Sequence, residues 1–170
     1  MTHKWNYFID ASTSRTGIVL LRDDRKKVII TDLDFSRIPS KRNSDKITNQ
    51  INKFRKIKQE LDKFTKKYPP AEDIYIEGIF VKPAFLNSSE VLIKFHGFLI
   101  LYFIEHNLIY YPPRSIKKKL TGNGNAKKED VRKMLEEKYG IEFSNDDQSD
   151  AFAVMEYWMR KEGEMLEVNL

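Results

Sequence analysis

Cysteine is absent from the 170 residues, which removes disulfide scaffolds, thiolate zinc sites and cysteine nucleophiles together and suits a reducing interior. Long apolar runs are absent too. The longest, Phe98 to Ile104, falls far short of the ~20 residues that a membrane-spanning helix needs. Met1 to Asp10 alternates polar and apolar residues with neither a basic start nor an apolar core, so no membrane partner is expected and the expected setting is cytoplasmic. No repeat, linker or low-complexity segment divides the chain, and its length fits one domain over 1–170. Nor is charge lopsided: 30 Lys and Arg against 25 Asp and Glu leave +5 and a pI near 9.2. That balance fits a polyanionic partner and ordinary solubility equally well.

What is present describes a folded α/β chain. With 41% hydrophobic and 12% aromatic residues there is material for a core, and 32% charged residues supply a solvated surface. Tyr7 to Ile9, Gly17 to Leu21 and Lys27 to Thr31 read as three short strands of a meander. Between Asn43 and Tyr68 the residues Ile47, Ile51, Phe54, Ile57, Leu61 and Phe64 recur every three or four positions, which predicts one long helix stopped by Pro69 and Pro70. A strand is expected at Ile74 to Glu77, a helix from Ser88 to His106, and another strand at Leu108 to Tyr111. Three further helices are expected over Arg114 to Leu120, Lys127 to Tyr139 and Asp146 to Lys161. The pattern predicts a mixed sheet with helices on both faces.

Carboxylates carry the chemical signal. Asp10 ends an apolar strand beside a turn, where a turn-capping aspartate would read the same way. Glu77 closes Ile74-Tyr-Ile and precedes Gly78-Ile-Phe80, so a charge lies within a segment that is otherwise apolar and something must pair with it. Asp147 and Asp150 stand three apart and share one face of a helix start, a place where acids also complement the macrodipole and where Ser144 or Asn145 can cap. Four acids converging on one sheet edge raise each other's pKa unless a cation offsets the repulsion. An all-oxygen set suits hard Mg²⁺, with Mn²⁺ as a substitute. Two such ions match phosphodiester hydrolysis without a nucleophilic side chain. His3, His96 and His106 lack metal-ligand spacing in the chain.

The order Ile9-Asp10-Ala-Ser, Ile76-Glu77-Gly-Ile-Phe80 and Asp147-Gln-Ser-Asp150-Ala resembles the RuvC-like Holliday junction resolvases of the RNase H-like superfamily. So does the basic run Ile116-Lys117-Lys118-Lys-Leu-Thr-Gly122-Asn-Gly124-Asn-Ala-Lys-Lys128, over a likeness spanning roughly residues 4 to 161. The resemblance implies an RNase H-like mixed five-stranded sheet flanked by helices and an Mg²⁺-dependent endonuclease that resolves four-way DNA junctions by paired nicks. It implies Asp10, Glu77, Asp147 and Asp150 as metal ligands and Lys117 and Lys128 near the scissile phosphate. DNA contacts would come from Phe80, Lys117, Lys118, Gly122, Gly124 and Lys128. The first motif reads Asp-Ala-Ser where cellular bacterial members usually carry Asp-Pro-Gly, which fits a phage-encoded version acting in a bacterial or phage-infected cytoplasm.

Two other readings share this fold: a non-catalytic module that binds branched nucleic acid, and an RNase H-type nuclease for RNA:DNA hybrids. Asp10 with the following Ser, Thr and Gly17 is also similar to the phosphate-binding hairpin of actin-like sugar kinases, which need two such domains. The basic stretch Arg114 to Lys138 holds nine Lys or Arg against four Asp or Glu. From Leu86 to Ile104 the residues are apolar nearly all round, more than one sheet face can cover, and a symmetric homodimer is expected.

Overall fold

In β1 (Trp5–Asp10) successive side chains leave the backbone on opposite sides, and both sides are apolar, which places this strand in the middle of a sheet. The computed structural model, which describes residues 3–38, 45–79 and 86–166, puts it there. β1 pairs antiparallel with β2 (Arg15–Arg22) and parallel with β4 (Asp73–Glu77). β3 (Val28–Asp34) adds antiparallel to β2 and β5 (Asn107–Tyr111) adds parallel to β4, giving the order β3-β2-β1-β4-β5.

Alternation sorts the core into two layers. Tyr7, Ile9, Ile18, Leu20, Ile74 and Ile76 face α1 (Lys46–Lys67), through Ile57, Leu61 and Phe64, and α2 (Leu86–Tyr102), through Phe95 and Leu99. Phe8, Val19, Leu21, Tyr75 and Tyr111 face the opposite layer, made of α3 (Pro113–Thr121), α4 (Lys128–Tyr139) and α5 (Asp146–Glu162). α5 runs against the middle of the sheet and is buried along Ala151 to Met155.

The helix boundaries follow local chemistry. Asp45 caps α1 by accepting from the Thr48 N–H at 2.9 Å, Pro113 opens α3, and Gly122 closes it at φ 79° in the left-handed region. Several boundaries differ from the sequence expectation, among them the ends of β3 and α2. β3 continues past Thr31 to Asp34 because β2 offers ladder partners as far as Arg15. α2 ends at Tyr102 rather than His106, where a turn closed by the His106 N–H on the Phe103 carbonyl at 2.8 Å reverses the chain into β5.

Among the described residues nothing covers one side of α2 and the turn after it. Phe95 and Leu99 are buried, but Leu101 and Ile104 are 70% and 64% exposed, with Ile93 and Ile100 about half so. Ile47 and Ile51 of α1 are exposed as well. Among the described residues no helix is long and apolar enough to cross a membrane.

Candidate active site

Strand parity brings the first two acids together. Asp10 shares the face of Phe8 and Glu77 that of Tyr75, and the parallel register aligns Ile9 with Ile76, so the next residues along each strand are neighbours on the α5 side. Asp10 pairs in turn with Gly17, and Gly17 with Asp32. A single row, Asp32, Gly17, Asp10, Glu77, thus crosses four strands beneath the start of α5.

Gly17 is the gap in that row. A Cβ at this position would lie 1.8 Å from the Asp147 carbonyl oxygen and 3.0 Å from the Gln148 nitrogen, so any larger residue would push α5 off the sheet. The helix begins here because Asn145 caps it, its Oδ1 accepting from the Gln148 N–H at 3.0 Å. Asp147 and Asp150 then follow on one side of the first turns. Asp146 turns outward and meets Arg132 at 3.0 Å.

Burial and crowding act on these acids in the same direction. Burial, then the charges of Glu77 and Asp150, push the Asp10 carboxyl well above the ordinary Asp value. Glu77 is raised by burial and by Asp150, while its hydrogen bond with Asp10 and the charges of Lys128 and Lys117 oppose the rise. Two carboxyls can share a hydrogen bond only if a proton is held between them, so this edge favours a proton or a cation over two free charges. Asp150, its side chain 12% exposed, is raised by burial against an ion pair from the Lys128 ammonium. Asp147 is raised by burial, with Asp150 adding and Lys128 and Arg15 opposing. Burial works against the charge on Lys128, yet Asp150, Asp10 and Glu77 together hold its ammonium above the usual lysine value.

A crowded, partly buried, all-oxygen donor set with Lys128 as its counter-charge fits a hard divalent cation, which would take over that role. By contrast, His3, Asp23 and Asp24 are the described His and carboxylate residues whose ligand atoms all lie within 4.8 Å of one another. They lie at the other end of β1, His3 and Asp23 exposed and Asp24 half-buried, and His3 Nδ1 is 3.0 Å from Asp23 Oδ1. Chain spacing concealed them, since His3 meets acids 20 and 21 positions away.

The basic segment flanks the acids. Lys117 donates to the Ala126 carbonyl at 2.8 Å, which folds the loop back on α3, and its charge reaches Glu77 and Asp150. Lys118 and Lys119 are exposed. Gly124 sits where a Cβ would be 3.1 Å from the Arg114 carbonyl oxygen, so close packing within the loop explains this glycine. Phe80 lies outside the described residues. Three residues that the sequence did not single out stand at the site. Asp32 and Arg15 form a 3.4 Å ion pair beside the start of α5. His96 is buried in α2 with its ring beside the Ala11 backbone, next to Asp10, and its Nδ1 has no hydrogen-bond partner among the described residues.

Similarity to known proteins covers most of the chain. The sequence model of one family, crossover junction endodeoxyribonuclease RuvC, matches residues 8–156. The protein of that name from Brachyspira hyodysenteriae is 34% identical over 58% of this chain and 61% of its own length. The one from Helicobacter pylori strain P12 is 31% identical over 86% of this chain and 90% of its own. Among solved structures, Thermus thermophilus RuvC in complex with a Holliday junction substrate superposes with a TM-score of 0.57 at 15% identity, covering 94% of this chain and 97% of that one. That likeness shows a shared RNase H-like α/β fold.

Proposed function

This chain belongs to the crossover junction endodeoxyribonuclease RuvC family, and from that membership we propose that it is a junction-resolving nuclease, which hydrolyses phosphodiesters in four-way branched DNA during recombination and repair. The observation that carries this reading is the buried row of Asp10 and Glu77 under the helix bearing Asp147 and Asp150, with lysine as the counter-charge. A set of caps on a purely binding module has no reason to bury like charges against each other.

Nucleases of this family depend on metal. Here Asp10, Glu77, Asp147 and Asp150 would hold it, as Mg²⁺ with Mn²⁺ able to substitute. When bound, such a cation supplies Lewis acidity for water activation and for the leaving oxygen. The chain's own residues do the rest. Lys128, freed from Asp150, and Lys117 face the scissile phosphate and stabilise its growing charge. Lys118 and the Gly122 to Gly124 backbone hold flanking phosphates, as Phe80 holds a base at the branch point. Burial lowers the His96 pKa, and its ring packs beside the Ala11 backbone next to Asp10.

The uncovered apolar strip of α2 and the turn after it, from Ile93 through Ile100 and Leu101 to Ile104, would form the seam of a homodimer. Two-fold symmetry then presents one site to each of two equivalent strands of a junction. We place this work in the cytoplasm of a bacterial or phage-infected cell. Incubation with a synthetic four-way junction, a flap and an RNA:DNA hybrid, with Mg²⁺ or with chelator, tests the proposal. Paired, Mg²⁺-dependent nicks in the junction are expected, and preferential cutting of the hybrid would favour an RNase H-type enzyme.

A further inference from the structure

Asp32 ends the row that crosses the sheet, beyond Gly17, and has no part in the chemistry assigned above. Its partners are specific. Oδ1 accepts from Asn145 Nδ2 at 3.2 Å and from Gln148 Nε2 at 2.6 Å, while Oδ2 stands 3.4 Å from the Arg15 guanidinium. Each amide is already committed through its oxygen. Asn145 Oδ1 accepts from the Gln148 N–H at 3.0 Å, and Gln148 Oε1 accepts from the Ser144 N–H at 3.3 Å. Only N–H groups are left to face the sheet, and an ionised carboxylate, which accepts and never donates, is their complement. At 17% side-chain exposure Asp32 makes these bonds with little competition from water.

Asn145 and Gln148 bracket Asp147, and Gln148 precedes Asp150 by two positions. A cap alone leaves a helix start free to rock on the surface below it. Two side chains tied to one point on β3 fix its rotation, and the missing side chain at Gly17 fixes its height. We propose that Asp32 is a positioning residue: its carboxylate, through Asn145 and Gln148, holds the first turn of α5 at the rotation that aims Asp147 and Asp150 at Asp10 and Glu77. This rests on the reading of those four acids as cation ligands. Outer groups that orient ligands typically change metal affinity or activity about 10- to 100-fold when removed.

The test compares wild type with Asp32→Ala, Asp32→Asn, Gln148→Met and the double variant Asp32→Ala/Gln148→Met. Mn²⁺ is titrated into metal-free protein and followed by the EPR signal of the free ion. Amide hydrogen exchange is read without metal, and junction nicking is read against Mn²⁺ concentration. Asp32→Ala is expected to weaken Mn²⁺ binding about 10-fold or more and to shift half-maximal nicking to higher Mn²⁺ by a similar factor. It should speed exchange at residues 146–150 while leaving α1 and β4 protected. Asp32→Asn, which keeps an acceptor oxygen for Gln148, should recover part of the loss, and the double variant should be no worse than Asp32→Ala. Wild-type Mn²⁺ affinity in Asp32→Ala, faster exchange spread evenly over the chain, or additive losses in the double variant would each overturn the assignment. If wild type itself neither binds Mn²⁺ nor nicks with it, the reading of the four acids fails first and the proposal falls with it.

Discussion

Gly17 and Asp147 touch: the backbone of the first turn of α5 rests where a side chain on β2 would otherwise stand, with only 1.8 Å from a would-be Cβ to the Asp147 carbonyl oxygen. Gly17→Ala therefore has to lift the helix start. Overpacking of this kind typically costs about 1–3 kcal/mol, and here the obstacle is backbone, which yields less than a flexible side chain. Nicking should fall about 10- to 100-fold, as when groups that orient metal ligands are disturbed, while circular dichroism still shows a folded chain. Wild-type nicking by Gly17→Ala would show that the helix start can shift without harm.

Cation binding should depend on pH with a defined sign. The raised carboxyls of Asp10, Glu77, Asp147 and Asp150 bind protons more tightly in the folded than in the unfolded chain. Their contribution to metal-free stability is full in acid and is lost as pH rises from the ordinary Asp value of 3.8 through the raised values. A cation that displaces those protons should stabilise more at pH 8 than at pH 5. At a concentration a hundredfold above its Kd the gain is about 2.7 kcal/mol, or roughly 5–10 °C in a chain of this size. Melting curves with and without Mg²⁺ at both pH values check it. A gain that is equal at the two, or larger in acid, contradicts the assignment.

The lysines should separate by role. Lys117 and Lys128 act on the acids directly, whereas Lys119 is exposed and its charge reaches none of them in the shifts described. Lys117→Ala and Lys128→Ala should lower turnover about 10- to 1,000-fold with little change in junction affinity, as expected for groups that meet developing charge. Lys119→Ala should be mild in both. Single-turnover kinetics with a binding titration distinguishes these patterns, and the reverse ranking would reassign the segment to binding alone.

The exposed apolar strip on α2 is the proposed seam of a dimer. Light scattering should give about twice the 20.1 kDa chain mass, and Leu101→Glu with Ile104→Glu should give monomers that keep their fold and lose paired nicking. Wild-type monomers that still cut both strands together would remove the need for a dimer.

Much of this was legible in the sequence, for identifiable reasons. Short apolar runs in β1, β2 and β4 and the spacing of Ile57, Leu61 and Phe64 mark the sheet and α1, because each element's burial is encoded within its own residues. Asp10, Glu77 and the pair Asp147 and Asp150 stand out since charge interrupts or opens an apolar element. The row that joins them is not visible, because it depends on register between strands: Asp32 meets Gln148 across 116 positions. The sequence pattern ends β3 at Thr31, one residue short of Asp32, whereas the strand runs to Asp34. His96 looked like one more residue on an apolar helix, and only the packing of α2 on the sheet brings its ring to Ala11.

The most direct measurement is strand cleavage of a synthetic four-way junction by wild type, Asp10→Asn and Glu77→Gln, in Mg²⁺ and in chelator, with junction binding read in parallel. Wild type should place symmetric nicks near the branch point in Mg²⁺ and none in chelator. Both variants should bind the junction as tightly as wild type or more so, since a negative charge near phosphate is gone, and leave it intact. Undiminished cleavage by either variant, or wild-type cleavage that persists in chelator, would contradict a carboxylate-held cation as the centre of the reaction.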